Sequence, residues 1–166
     1  QQIKGLVYFE NGFRNVTNSK RAIEHPADLA GLKIRTMENE IHMDSFRTMG
    51  ADPTPMAFGE LFTALQQKTI DAQENPLAVI DTSKFYEVQD YLSMTNHFYA
   101  PTPVLMSLQY WNSLPEDIQA AVMESINEAR DYERGLLDEM NTRLQTEMAE
   151  DHGVNVNEID MNEFRE

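Results

Sequence analysis

The chemistry-bearing side chains of this sequence gather around arginine, amide and aromatic residues rather than around a nucleophile. Arg35 stands in Ile34-Arg35-Thr36-Met37-Glu38-Asn39, directly after the apolar Leu32 and Ile34. A guanidinium at the tip of a buried strand is costly without a counter-charge. Its planar fork matches a carboxylate through two parallel hydrogen bonds. Arg35 therefore reads as a group awaiting an anion, with Glu38 or Glu74 as competing internal partners. Gln73-Glu74-Asn75-Pro76 repeats the design of a strand running into a helix. Asn75, held extended by the proline after it, is a natural N-cap for a helix opening at Pro76. It is also a candidate ligand contact. If the two strands are parallel neighbours, Arg35 and Asn75 converge on one crevice at the strands' C-terminal ends, where open α/β sheets bind ligands. Phe58, after the Pro-Thr-Pro-Met segment at 53–56, either walls that crevice or staples onto the helix below it.

Other combinations offer less. Glu38 and His42 are four apart, which suits a surface ion pair; a metal site needs further ligands. A hydrolase using Glu38 or His42 as base is the rival reading from enzymology. His97, within Thr95-Asn96-His97-Phe98-Tyr99, reads as a hydrogen-bonded histidine at a strand end. There is no G-x-S-x-G, P-loop or G-x-G-x-x-G, and no carboxylate pair stands out as general acid and base. Cysteine is absent, which excludes disulfides, zinc thiolates and thiol nucleophiles. Neither a metal nor a cofactor is expected.

With 166 residues, 41% of them hydrophobic, the chain can bury a real core. The formal net charge of -15 argues against nucleic acid as a partner. No apolar run approaches the roughly 20 residues of a membrane span. The charge is uneven: Lys4, Arg14, Lys20, Arg21, Lys33 and Arg35 face only Glu10, Glu24 and Asp28 within residues 1–35. Such a basic segment is either a solvated face or an anion site. The chain opens on Gln1 and closes on Glu166 within a predicted helix, so it is expected to be processed or cut.

The elements that must hold these residues follow from periodicity. A strand is predicted from Ile3 to Phe13, ending near Asn11-Gly12, with residues 14–25 as a loop or edge ribbon. A helical turn at 26–29 leads to a strand at 32–36 and a helix at 40–49. Residues 51–56, with prolines two apart, must be extended. Leu61, Phe62 and Leu65 mark a short helix, 69–73 a strand, and Pro76 another helix. This alternation over 32–83 signals an α/β sheet. Two extended segments follow, at 91–99 and 103–108. Ser113 and Glu116 are spaced as a capping box. A long helix follows them, its apolar face running from Ile118 through Val122, Ile126, Ala129, Leu136 and Met140 to Leu144. It ends before Gly153; a short strand at 154–156 and a helix from Asp160 complete the chain.

Three stretches together give a family resemblance: Gly31-Leu32-Lys33-Ile34-Arg35, the run from Gly50 to Pro76, and that from Lys84 to His97. The chain resembles the solute-binding subunit of tripartite ATP-independent periplasmic (TRAP) transporters from about Asn11 to near residue 130. The resemblance implies an α/β fold, a two-lobed periplasmic-binding-protein clamshell of type II-like form. This chain would cover mainly one lobe plus long linking helices, the N-terminal half of the family fold being absent. Residues 1–13 would link the lobes, 14–100 would form the carboxylate-binding lobe, and 101–166 would belong largely to the other lobe. The resemblance assigns Arg35 to the ligand carboxylate and Arg14, in Gly12-Phe13-Arg14, as a helping arginine. It places Asn75 and Phe58 against the ligand, with Glu38 or Asn39 as a further polar contact. Many members carry Asn or Gln where this chain has Glu38, and a carboxylate there suits hydroxyls or an amine. The implied protein is not an enzyme. It is a periplasmic, monomeric binder of a small organic acid that delivers its ligand to a TRAP membrane permease. A sugar acid such as a uronate or aldonate is favoured and a C4-dicarboxylate is the alternative; a sensory module on the same fold is a further rival.

Overall fold

The computed structural model describes residues 2–160 and 162–164. Strand β1 (Ile3–Asn18) passes straight through Asn11-Gly12 and does not stop there. Gly12 adopts φ +89°, within a shift of register between Glu10 and Phe13. The glycine is thus a bulge inside one long strand. Residues 14–18, expected as a loop, are the most buried part of β1. Their polarity is satisfied internally. Asn18 accepts from the amides of Lys20 and Arg21, and Thr17 donates to Gln89 and accepts from Gln73.

The remaining elements are β2 (Lys33–Thr36), α1 (Glu40–Thr48), β3 (Asp52–Pro55), α2 (Phe58–Gln66), β4 (Ala72–Pro76), α3 (Leu77–Thr82), β5 (Tyr91–Ser107), α4 (Leu108–Ser113), α5 (Glu116–Glu150) and β6 (Asn155–Glu158), with a 3-10 helix at Pro26–Leu29. The strands form one sheet in the order β3-β2-β4-β1-β5-β6. β2 runs parallel to β3 and to β4, β1 antiparallel to β4 and β5, and β6 parallel to β5. β3 lies at the sheet edge, where its two prolines cost no ladder bond.

The two extended segments predicted at 91–99 and 103–108 are one strand, β5. Pro101 and Pro103 sit in its outer half, where β1 is its paired neighbour and the missing N–H groups need no acceptor. β4 begins later than predicted and takes in Asn75 and Pro76. The expected capping box at Ser113 and Glu116 is not formed. Ser113 belongs to α4, where its hydroxyl bonds Tyr110 O, and Pro115 is the N-cap of α5. The helix expected from Asp160 is a turn over 162–164, and residues 161, 165 and 166 lie outside the described residues.

The sheet is covered on both faces, as a three-layer α/β unit requires. One face packs Ile34, Val16 and Ala72 against Phe46 of α1 and Leu29. The other packs Leu61 and Leu65 of α2, Leu77 and Ile80 of α3, and Leu144 and Met148 of α5 around Phe85 and Leu92. Leu144 and Met148 in the C-terminal half of α5, and the Val154 that follows it, are thus part of this core. The N-terminal half of α5 leaves Ile118 44% exposed.

Candidate functional site

The parallel strands β3, β2 and β4 all point their C-terminal ends to one edge of the sheet. Arg35 and Asn75 lie one residue before the ends of β2 and β4, and Met56 directly follows β3. Arg35 and Gln73 are register partners on β2 and β4, so the expected neighbourhood of the two strands is realised. Arg35 is only 4% exposed. Its Nε and Nη2 donate to the Met56 carbonyl at 2.9 and 2.8 Å. The Phe58 ring, 48% exposed at the start of α2, lies 5.8 Å from the guanidinium and edge-on to Phe85. Burial pushes the Arg35 pKa down, while Glu74 pulls it back up and Arg14 lowers it. The guanidinium stays charged at neutral pH. Its Nε–Nη2 edge is anchored on a neutral carbonyl, and Nη1 makes no hydrogen bond among the described residues. Among the described residues, no carboxylate pairs with Arg35.

Glu74, the internal partner left open by the sequence, belongs to Arg14. Arg14 grips its carboxylate through Nε to Oε2 and through Nη2 to Oε1 at 2.9 Å. The same Nη2 reaches the Glu74 carbonyl at 2.7 Å and Asn75 Oδ1 at 3.0 Å. Asn75 is no N-cap, a correction to the expected helix start. Pro76 holds that position without a side-chain cap, because β4 extends through it. The Asn75 amide donates instead to Gln73 Oε1 at 2.6 Å. Glu38 and Asn39 are exposed, and Asn39 is the N-cap of α1, accepting from the amides of Ile41 and His42.

The expected Glu38–His42 pairing is not made. Glu38 precedes α1, while His42 turns inward. Its ring stacks on Phe98 at 4.2 Å, and its Nδ1 lies 3.8 Å from Glu74 Oε1, too far for a hydrogen bond. His97 completes the surroundings of Glu74. Its Nε2 is 3.2 Å from Oε2 and its Nδ1 2.7 Å from the Thr95 hydroxyl. An ionised carboxylate only accepts, so Nε2 carries the proton and Nδ1 accepts from Thr95. Nothing in the sequence singled out Glu74, His42 and His97 as one cluster. The signal lay in strand register, which sets Arg14 of β1 against Pro76 of β4 and Phe98 of β5. Among the described residues, no group of His, Asp and Glu has the makings of a metal site.

Burial would push the Glu74 carboxyl up, but His42, His97 and Arg14 more than offset this and hold it well below the usual range. Burial lowers the His97 pKa, with Glu74 opposing. Both groups therefore bind protons more weakly folded than unfolded, so their contribution to stability is complete above their unfolded values and is lost as pH falls. For His97 the loss begins near its ordinary 6.5 and for Glu74 near its ordinary 4.5. Thermal unfolding followed by circular dichroism should show a melting temperature flat above about pH 7 and falling in two stages below it. A melting temperature that rises on acidification to about pH 5 would contradict this assignment of charges.

The model of the DctP family, described as bacterial extracellular solute-binding protein, family 7, matches residues 1–166. The 2,3-diketo-L-gulonate-binding periplasmic protein YiaO of Escherichia coli is 40% identical over 162 residues, covering 98% of this chain and 49% of that protein. A TRAP periplasmic solute-binding protein from a Polaromonas species, bound to D-erythronate, superposes with TM-score 0.90 at 44% identity, covering 99% of this chain and 54% of that one. The sugar acid binding protein DctPAm from Advenella mimigardefordensis, in complex with galactonate, superposes with TM-score 0.86 at 40% identity, covering 99% and 53%. The chain spans about half the length of the curated relatives it matches.

Proposed function

The chain belongs to the bacterial extracellular solute-binding protein family 7, and from that premise we propose that it forms the carboxylate-recognising lobe of a binder for sugar acids. One observation carries the ligand class. Arg35 is buried, charged and anchored on a neutral carbonyl near the C-terminal end of its strand, with Nη1 left without a partner among the described residues and an aromatic ring beside it. A carboxylate meeting Nη1 and Nη2 end-on completes its hydrogen bonding and supplies the missing counter-charge. Phe58 then packs against the ligand's carbon skeleton. Arg14 and Asn75 are the second tier, Arg14 through Nη1, which Glu74 leaves free. Glu38 and Asn39, exposed on the loop after β2, contact ligand hydroxyls. The relatives that bind D-erythronate, galactonate and 2,3-diketo-L-gulonate favour a polyhydroxylated monoacid over a C4-dicarboxylate.

The remaining parts of this reading concern the whole protein. A second lobe closes over the sheet edge and packs on the outer β1–β5 ribbon and on the N-terminal half of α5, where Ile3, Tyr8, Leu105 and Ile118 are exposed. The closed complex works in the periplasm as a monomer and delivers its ligand unaltered to a TRAP membrane permease. Calorimetric titration of the full-length protein with galactonate, D-erythronate, D-glucuronate and succinate tests the ligand class. Saturable binding of one or more sugar acids, with intact ligand recovered after denaturation, is the expected result. Preference for succinate, or chemical conversion of the bound acid, would overturn it.

A further inference from the structure

We propose that Thr17, Gln73 and Gln89 are positioning residues. They form a one-way chain of buried hydrogen bonds that sets which atom of the Asn75 amide a sugar acid meets. This inference rests on the carboxylate-binding reading of the site. The chain runs from β4 across β1 to the segment before β5. Asn75 Nδ2 donates to Gln73 Oε1 at 2.6 Å, Gln73 Nε2 to Thr17 Oγ1 at 2.8 Å, and the Thr17 hydroxyl to Gln89 Oε1 at 3.0 Å. Gln89 Nε2 ends the chain on the backbone carbonyls of Val88 and Asp71, at 3.0 and 3.4 Å. None of the four residues is more than 5% exposed. Arg35, Gln73 and Thr17 share one rung of the sheet, so the chain starts on the strand beside the carboxylate-recognising arginine.

Both ends of the chain are groups with a single hydrogen-bonding role, and this fixes its direction. A guanidinium only donates, and Arg14 Nη2 lies 3.0 Å from the Asn75 amide, so Oδ1 must face it. A backbone carbonyl only accepts, so Gln89 turns Nε2 to Val88 and Asp71 and Oε1 to Thr17. The Thr17 hydroxyl therefore gives its single proton to Gln89 and accepts from Gln73. Gln73 in turn presents Oε1 to Asn75. The two ends demand the same polarity, so no amide in the chain can turn over without leaving buried groups mispaired. Asn75 keeps one Nδ2 hydrogen without a partner among the described residues. In the bound state that hydrogen meets an acceptor oxygen of the acid. If the chain is broken at Thr17, Gln73 Nε2 loses its acceptor and the Gln73 amide is free to turn. Once turned, it sets Nε2 against Asn75 Nδ2, donor against donor. Asn75 then turns over as well, loses its bond from Arg14 and offers the acid an oxygen where a donor is needed.

Calorimetric titration of the full-length protein with galactonate tests the chain at Thr17, two hydrogen bonds away from Asn75. Thr17→Val removes the hydroxyl and should weaken binding roughly fivefold to twentyfold. Thr17→Ser keeps the hydroxyl and should stay within about twofold of wild type. Gln73→Met breaks the chain one bond closer and should match Thr17→Val. In the Asn75→Ala background Thr17→Val should cost nothing further, because no amide is left to orient. A general loosening of the lobe would instead weaken binding in both backgrounds. Circular dichroism at the titration temperature shows whether each variant is folded. A wild-type measurement stands beside them in case a variant does not fold. By nitrogen-15 NMR, one Asn75 side-chain amide proton should exchange slowly with solvent in the free protein, and the other only once galactonate is bound. Wild-type affinity in folded Thr17→Val and Gln73→Met proteins, an equal loss on top of Asn75→Ala, or fast exchange of both Asn75 protons in the free protein would overturn the chain's role while leaving the Arg35 site intact. Failure of the wild type to bind any sugar acid would instead remove the reading on which the role rests.

Discussion

Arg35→Lys in the full-length protein should weaken sugar-acid binding by about 2 kcal/mol or more, roughly thirtyfold, without unfolding the lobe. The ammonium keeps the charge but not the fork. In the present geometry one edge of the guanidinium holds the Met56 carbonyl, and the proposed carboxylate takes the other end of the same group. A lysine can serve one of these directions well, not both. It also loses the planar face that lies near the Phe58 ring. Because Arg35 anchors on a backbone carbonyl and not on a carboxylate, its loss strands no buried counter-charge, and stability should change far less than affinity. Isothermal calorimetry beside a melting curve separates the two. Unchanged affinity in a normally folded Arg35→Lys protein would remove the arginine from the site.

The largest stability effect belongs to Glu74. Glu74→Gln preserves shape but withdraws the carboxylate that, among the described residues, alone pairs with Arg14, which is 5% exposed. Breaking a buried pair from one side costs about 3–5 kcal/mol, because the orphaned charge stays buried. For a body of this size that corresponds to a melting temperature lower by about 10 °C. Removing both charges together, as in Arg14→Met with Glu74→Gln, should recover much of the loss, since well-packed apolar replacements of buried pairs are often tolerated. Differential scanning calorimetry of the two proteins decides the matter. A single variant that melts within about 2 °C of wild type would mean that water reaches Arg14 and neutralises its isolation.

The acid sensitivity expected from His97 and Glu74 follows from the same cluster. Three functions therefore meet on one carboxylate: neutralising Arg14, fixing the His97 tautomer and facing His42. This is why Glu74 sits fully buried at the tip of a strand in a protein rich in exposed acids.

Local chemistry by itself determined a good part of this protein. The alternation of strand and helix over residues 32–83 follows from apolar spacing and from the positions of Gly and Pro, and the observed elements keep that order. Arg35 was legible because a charged fork directly after Leu32 and Ile34 conflicts with its neighbours unless an anion answers it. Asn39 and Phe58 stand at helix starts that local signals can mark. What needed tertiary structure was every statement about partners across strands. Residues 14–18 read as loop because a polar run loses its strand signature when its hydrogen bonds come from distant side chains. Thr17 bonds Gln73 of β4 and Gln89 before β5, and Asn15 accepts from the Asn96 amide of β5, all more than fifty residues away in sequence. Asn75 looked like a cap because Pro76 can open a helix. Pairing with Arg14 and Asn15 of β1 carried the strand one turn of logic further. The Arg14–Glu74–His97 cluster, with His42 beside it, joins four elements through register alone. No spacing within the sequence encodes it, since the distances that matter are set by which strands lie side by side.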